Sequence, residues 1–125
     1  MFQVAYEYAA PWPATGPIQI KAQFEIEIDV SPEQARRTAN SYLTLHVGMA
    51  LQSGEPTLML SERPFWRMPV NLHLRGFGKV ATLGTIAVDA LTDEVLPFSE
   101  EQINMIQESA NAIAARLTSE TTPPS

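Results

Sequence analysis

The clearest pattern in the chain is a strict alternation of apolar and polar residues over the segment 18–30. The apolar positions are Ile18, Ile20, Ala22, Phe24, Ile26, Ile28 and Val30. A period of two predicts a strand with one buried face and one solvated face. A strand of this length would span about 43 Å at ~3.3 Å per residue, well beyond the usual strand. We therefore expect it to bend, to cross two layers or to project toward a partner.

Two helices are predicted by N-cap signals that precede apolar residues at a helical period. The segment Ser31-Pro32-Glu33-Gln34 combines a good N-cap, a proline suited to the first helical position and a glutamine that completes a capping box. The apolar face of this helix reaches Leu51, and Gly54 predicts a left-handed C-cap. A second capping box at 99–102 begins a helix whose apolar stripe comprises Ile103, Ile106, Ala110, Ile113 and Leu117.

Three further strands are predicted between the helices, over residues 57–61, 66–75 and 80–89. Pro69 removes one ladder donor from the second of them, which predicts either an edge strand or a bulge. Gly84 interrupts the alternation of the third and predicts a bulge or a close backbone approach. The connecting segments are a hairpin loop at 76–79, a turn at 91–94 and a brief strand at 95–96.

These elements predict an α+β fold with the order β-α-β-β-β-α. Because hairpin-connected strands pair antiparallel, we expect an antiparallel sheet of about four strands with two helices packed on one face. The expected organisation is an extended arm at 1–17, a single domain at 18–117 and a flexible tail at 118–125. If the strand at 18–30 neighbours the strand at 66–75, their solvated faces would pair Glu25, Glu27 and Asp29 with Arg67, His73 and Arg75.

The arm at 1–17 carries three prolines, which exclude a helix and favour an extended chain. Tyr6, Tyr8 and Trp12 give this arm large apolar rings. A free tail rarely carries such a set, so we expect these rings to pack on a surface. That surface is either the chain's own domain or a neighbouring subunit, and the sequence leaves both open.

Composition narrows the class of protein. The chain has 125 residues, the size of one domain, and a net charge of −6 from 14 acidic and 8 basic residues. This balance argues against nucleic acid as a partner, because polyanions require a basic footprint. The absence of cysteine excludes disulfides and thiolate chemistry and is typical of a reducing compartment. Without a long apolar run or a signal-peptide pattern, we expect a cytoplasmic protein and no membrane partner.

Candidate chemistry is sparse. His46 and His73 are the only histidines, and neither has a second ligand at metal spacing, so we expect no metal site and no cofactor. The acidic residues Asp89, Asp93 and Glu94 are interpreted as turn residues, with Asp89 bonding the turn backbone. The alternative interpretation is a pair of carboxylates that divide acid and base roles.

Two segments resemble a known pattern: Trp66-Arg67-Met68-Pro69-Val70, and the run from Gly84 to Val95 that contains Val88-Asp89-Ala90-Leu91-Thr92-Asp93-Glu94. They are similar to a small uncharacterised bacterial family with a tryptophan strand, a glycine-rich hairpin and a V-D-x-x-T-G-E turn. A more distant resemblance is to PepSY-type modules, which end their strands in a comparable turn. Asp93 stands where the family has glycine. The resemblance implies a binding or inhibitory module rather than a catalytic one.

The sequence thus supports two main hypotheses. The first is a non-catalytic protein-binding or assembly module, a homodimer in its simplest form, which associates through the long strand and the arm. Its expected partner-binding residues are Tyr6, Tyr8, Trp12, Phe24, Arg67 and Arg75. The second is a small-ligand-binding protein or enzyme with a pocket between the sheet and the first helix. Its expected ligand-binding residues are His46, Trp66, His73 and Asp89.

Overall fold

A computed structural model describes residues 3–6, 16, 23 and 25–121 of the chain. Its elements are β1 (Gln3–Tyr6), α1 (Pro32–His46), β2 (Leu51–Ser53), β3 (Thr57–Leu60), β4 (Phe65–Leu74), β5 (Gly78–Asp89) and α2 (Glu100–Thr121). The α+β class with two helices is confirmed. Across the described ranges no helix is both long and apolar enough to cross a membrane.

β4 is the central strand of a five-stranded mixed sheet. β5 pairs antiparallel with β4 along the whole of its length, while β2 and β3 pair with different parts of its opposite edge. β1 pairs parallel with β3, with Gln3 opposite Thr57 and Tyr6 opposite Leu60. The prediction of about four strands, all antiparallel, is therefore wrong. β1 was missed because it is short and lies in the segment interpreted as an arm.

The core lies between one face of β4 and the helices. Trp66, Met68 and Val70 have no exposed surface, and they pack in one cluster with Ala39 and Leu43 of α1. The spacing of four between the two α1 residues places both on one helical face. Ile106 of α2 belongs to the same cluster, so both helices pack on this face of the sheet.

The long strand predicted at 18–30 is wrong for its described part. Residues 25–30 belong to no strand, and the side chains of 25–29 are exposed. The backbone N–H groups of Asp29 and Val30 both donate to the carbonyl of Ala90, at 3.0 and 3.1 Å. Other strands already occupy both edges of β4. The expected pairing of Glu25, Glu27 and Asp29 with Arg67, His73 and Arg75 therefore does not form. Residues 18–22 and 24 lie outside the described residues.

α1 begins as predicted but ends earlier. The hydroxyl of Ser31 accepts from the N–H of Gln34 at 3.1 Å, which confirms the N-cap. The helix ends at His46, where the N–H of Gly48 donates to the carbonyl of Leu43 at 2.8 Å. The chain then enters β2 instead of continuing the helix to Leu51, and Gly54 is not a left-handed cap.

β2 is held against α1 by hydrogen bonds between Ser53 and two side chains of the helix. The N–H and the hydroxyl of buried Ser53 both donate to Oδ1 of Asn40, at 2.7 and 2.8 Å. The guanidinium of Arg36 donates to the carbonyl of Ser53 at 3.3 Å. These contacts satisfy a buried strand end that would otherwise lose its hydrogen bonds to water.

Pro69 is accommodated by a bulge, one of the two alternatives that the sequence predicted. Ser53 pairs with Val70 and Thr57 pairs with Arg67, so the three residues 54–56 stand opposite the two residues 68–69. The N–H of Gly54 donates to the carbonyl of Pro69 at 2.9 Å. The irregularity thus lies where proline has no N–H to offer.

The predicted hairpin and the predicted irregularity near Gly84 are both confirmed. Gly76 and Gly78 have φ angles of 88° and 72°, which the turn after β4 requires. Val70 pairs with Gly84 and Asn71 pairs with Thr82, so Leu83 has no partner residue on β4. The second capping box is also complete, since Ser99 and Gln102 exchange hydrogen bonds of 2.9 and 3.1 Å. α2 extends into the segment predicted as a tail and ends at Thr121.

We predict that Gly54→Ala destabilises the protein by about 1–3 kcal/mol, the usual effect of overpacking. A Cβ at this position would lie 2.6 Å from Cγ of Pro69 and 2.8 Å from Nδ2 of Asn71. Denaturant unfolding of both proteins gives the difference in the free energy of unfolding.

Gly48→Ala is the matched control, because its Cβ would meet nothing closer than 3.6 Å. We expect its free energy of unfolding to stay within about 0.5 kcal/mol of the parent. Equal effects of the two substitutions would contradict the argument from close approach at Pro69.

Candidate functional site

The outer edge of β5 is the longest unpaired strand edge in the described part of the fold. One edge of β5 is fully paired with β4. Among the described residues, the other edge is contacted by backbone hydrogen bonds only near its end, where Val88 bridges Val95 and the N–H of Leu96 donates to the carbonyl of Ala87 at 2.9 Å. Over residues 80–86, no described strand pairs with this edge, and the sequence VATLGTI carries no charge. We call residues 80–86 the β5 edge.

A groove about 210 Å³ in volume lies beside the β5 edge, between it and α2. Its lining residues are Leu83, Thr85, Phe98, Gln102, Met105, Ile106 and Ser109. Met105 is 62% exposed. Leu96, which precedes Phe98 by two residues, is 56% exposed. We call this the α2 groove. It combines a partly apolar wall with the unpaired backbone groups of a strand, which is a combination typical of peptide-binding surfaces.

Phe98 is held in the groove by contacts with α1. Its N–H donates to the hydroxyl of Tyr42 at 2.9 Å, and the two rings meet edge to face with centroids 5.8 Å apart. α2 therefore begins at a fixed place beside β5. The capping box closes the first turn of α2 there, and Met105 and the rest of the groove wall follow.

α2 runs antiparallel to β5. Residues near its start line the groove with Leu83 and Thr85, whereas Ala110 lines a separate groove together with Leu72, which pairs with Ala81. Charges are consequently separated along the β5 edge. Exposed Glu101 lies at the Ile86 end, one helical turn before Met105, and exposed Lys79 lies at the hairpin end.

A second groove, about 310 Å³ in volume, lies between α2 and the loop that joins α1 to β2. Its lining includes Val47, Met49, Leu51, Leu72 and Gln107. Met49 is 86% exposed, and Nε2 of Gln107 donates to the carbonyl of Val47 at 2.8 Å. The two grooves are lined by different residues of α2, so variants can separate them.

The carboxylate of Asp89 has a structural role, as the turn interpretation predicted. Oδ1 accepts from the N–H groups of Leu91 and Thr92, at 2.8 and 3.0 Å. Oδ2 pairs with the guanidinium of Arg63. The hydrogen bond from Arg63 is the main cause that lowers the pKa of Asp89 to about 2, with the two backbone N–H groups acting in the same direction and burial opposing them.

Asp93 connects the same turn to α1. Its φ of 63° is the only left-handed angle among the described non-glycine residues, at the position where the resembled pattern has glycine. Its Oδ1 accepts from the hydroxyl of Thr38 at 2.8 Å, and Oδ2 accepts from Nε2 of Gln34 at 3.0 Å. These hydrogen bonds stabilise aspartate in a backbone conformation that otherwise favours glycine.

The four expected ligand-binding residues do not come together. His46 is exposed and lies beside the ring of Tyr42, with centroids 4.9 Å apart. Trp66 is in the core, where its Nε1 donates to the carbonyl of Val30 at 2.8 Å. His73 pairs with Lys79 at one end of the β4–β5 ladder, and Asp89 pairs with Phe65 at the other. The interface between the sheet and α1 is filled by side chains with no exposed surface, so it lends no support to a pocket there.

The expected partner-binding residues are only partly described. Arg67 is exposed on β4, opposite Ala87, and Arg75 is exposed in the turn after the far end of that strand. The backbone of Tyr6 is in β1, and its side chain lies outside the described residues, as do Tyr8, Trp12 and Phe24. No group of three His, Cys, Asp or Glu residues in the described segments is placed to hold a metal ion.

No protein-family model matches this chain, and no curated protein or solved structure is significantly similar to it. The resemblance to the bacterial family and to PepSY-type modules therefore stays a prediction.

We predict that Asp89 contributes stability that disappears in acid. Its folded pKa of about 2 lies below the ordinary value near 3.8. The stabilisation is therefore complete above about pH 4 and declines as the pH falls toward about 2. The Asp89→Asn variant keeps an oxygen for the turn backbone but loses the charge, so its free energy of unfolding should fall less over this interval.

Urea unfolding at a series of pH values measures this difference. Glu62→Gln, which removes a neighbouring exposed carboxyl, is the control and should keep the parental acid dependence. Parallel pH profiles for the parent and Asp89→Asn would show that the Arg63 pair carries no pH-dependent stability.

Proposed function

We propose that this chain is a protein-binding module that accepts an extended segment of a partner along the β5 edge. The observation that carries the proposal is the unpaired, uncharged run at 80–86 with the α2 groove beside it. A bound segment would add a strand to the sheet. Backbone hydrogen bonds would supply affinity, and alternate side chains of the partner would enter the groove and supply specificity.

An edge of this kind needs an occupant or a protection. Natural proteins protect exposed edges with charges, prolines, short strands, β-bulges or covering loops. The chain covers the end of β5 with Val95 and Leu96, and the β4–β5 register is irregular at Val80 and Leu83. Residues 80–86 nevertheless contain neither a charge nor a proline, which supports a binding role for this part of the edge.

The roles of the polar candidates also support binding over catalysis. Asp89 is engaged by Arg63 and the turn backbone, and Asp93 is engaged by Thr38 and Gln34. Trp66 is used in the core. Asp89, Asp93 and Trp66 thus maintain the fold, while the α2 groove presents accessible apolar surface at Met105.

The second candidate function is binding of a small ligand. It is favoured by the larger of these two grooves, near Met49, which has the volume of a small-molecule site and two amides, those of Gln107 and Asn111, in its wall. This location differs from the pocket that the sequence predicted between the sheet and α1. A partner contact through Tyr8 and Trp12 also stays a proposal, since both residues lie outside the described segments.

Selection of peptides from a random displayed library on the intact chain tests the proposal. We expect enriched peptides with alternating apolar residues. Their affinity should fall at least tenfold, about 1.4 kcal/mol, in Thr85→Lys and in Met105→Glu. The first places a charge on the β5 edge, and the second places one in the α2 groove.

Thr44→Lys and Met49→Glu are matched controls, since they make the same changes at exposed sites on α1 and in the second groove. They should leave peptide affinity unchanged. Peptides that lose affinity only in Met49→Glu would favour the second groove. A selection that yields no peptide, or peptides insensitive to all four changes, would contradict the proposal.

A further inference from the structure

We propose that the segment bound by the β5 edge is the β5 edge of a second copy of this chain, paired antiparallel about a two-fold axis. This inference rests on the proposed function, because it names the occupant of the same edge. The result would be one continuous sheet of two subunits with the helices of both copies on the same face. A two-fold interface uses the same patch twice, so the patch must complement itself.

The available length of the β5 edge fixes where the two copies would meet. The hairpin ends at Gly78, and the hydrogen bond from Leu96 to Ala87 occupies the edge at the other end. An antiparallel pairing that fits between these limits centres near Leu83. No charged side chain then lies within the paired segment, since residues 80–86 are uncharged in both copies. Val80 and Ile86, which have high β propensity, would face each other across the pairing.

Charge decides between the antiparallel and the parallel arrangement. Lys79 lies at one end of the β5 edge and Glu101 lies toward the other. An antiparallel pair brings the Lys79 end of each copy beside the Glu101 end of the other, twice per dimer. A parallel pair would bring like charges together. The net charge of −6 per chain repels at long range, but at physiological salt it is screened beyond ~8 Å, so the local pairs dominate.

The α2 groove supplies apolar area that edge pairing alone lacks. A stable dimer buries about 1,200–2,000 Å² in total, more than two short strands provide. Leu83 lines the groove together with Met105, which is 62% exposed. Because the axis lies near Leu83, the Met105 side chains of the two copies would lie close to it and cover each other's groove. The N-terminal strand of the chain itself is committed to the opposite edge of the sheet, beside β3.

Sedimentation velocity of the full chain over a concentration series tests this inference. We expect a monomer–dimer equilibrium whose Kd rises at least tenfold in Thr85→Lys and in Met105→Glu, and stays unchanged in Thr44→Lys and Met49→Glu. Circular dichroism verifies that each variant is folded. A parent that stays monomeric overturns the inference, and so does a dimer that both edge variants leave intact.

A charge exchange tests the orientation. Lys79→Glu and Glu101→Lys should each weaken the dimer, because each places like charges across the axis. The double variant should restore it. Weakening that the double variant does not reverse would overturn the antiparallel arrangement.

The failure of this inference differs from the failure of the proposed function. A monomeric parent that still binds selected peptides at the β5 edge retains the binding module and loses only the second copy as occupant. A parent that forms the dimer should release it when a selected peptide is added, since both use one edge. A dimer unaffected by bound peptide would overturn the inference, because the two would then occupy different surfaces.

Discussion

The packing of one face of β4 against α1 is the interaction on which the rest of the structure depends. The side chains of Trp66, Met68 and Val70 lose all contact with water there. At about 25 cal/mol per Å² of buried apolar area, such a face dominates the stability of a small domain. β4 therefore takes the centre of the sheet and is paired on both edges. The sheet is left with β1 and the short β2 at one edge and β5 at the other.

The central position of β4 explains why the sheet is irregular opposite Pro69. A proline in a central strand leaves a neighbour without a donor. The partner edge of β4 is divided between β2 and β3, and the three residues between them form the irregular segment opposite Pro69. Gly54 then lies against the proline ring, where a side chain has no room. The fold thus retains a buried apolar face on β4 despite a residue that weakens the hydrogen-bonded ladder.

Local signals were sufficient for much of the fold. The capping boxes at Ser31 and Ser99, the β4–β5 hairpin and the irregularity at Gly84 depend on residues close in sequence, and all are present. The strand at 18–30 depended on a partner edge that alternation cannot reveal, and both edges of β4 were taken. The end of α1 was predicted at Gly54 rather than before Gly48, because the apolar spacing continues through residues that belong to β2. β1 gave too short a pattern to separate it from the arm.

The candidate site was predictable only in part. The role of Asp89 in its turn follows from the local sequence. The four residues expected to bind a ligand do not lie together, because Trp66 faces the core while His73 and Asp89 lie at opposite ends of the β4–β5 ladder. The uncharged run at 80–86 was visible in the sequence, but its exposure depends on which strand takes the outer position. The α2 groove further requires the direction of α2, which Tyr42 and Phe98 set through a contact distant in sequence.

Amide hydrogen exchange along β5, followed by NMR on the intact chain, tests the central claim most directly. N–H groups of residues 80–86 that point away from β4 have no partner in an isolated subunit and should exchange quickly in dilute protein. The account predicts that their exchange slows as a second strand occupies the edge, either at higher protein concentration or with added peptide. Outward amides that exchange equally fast under all of these conditions would contradict a binding role for the β5 edge.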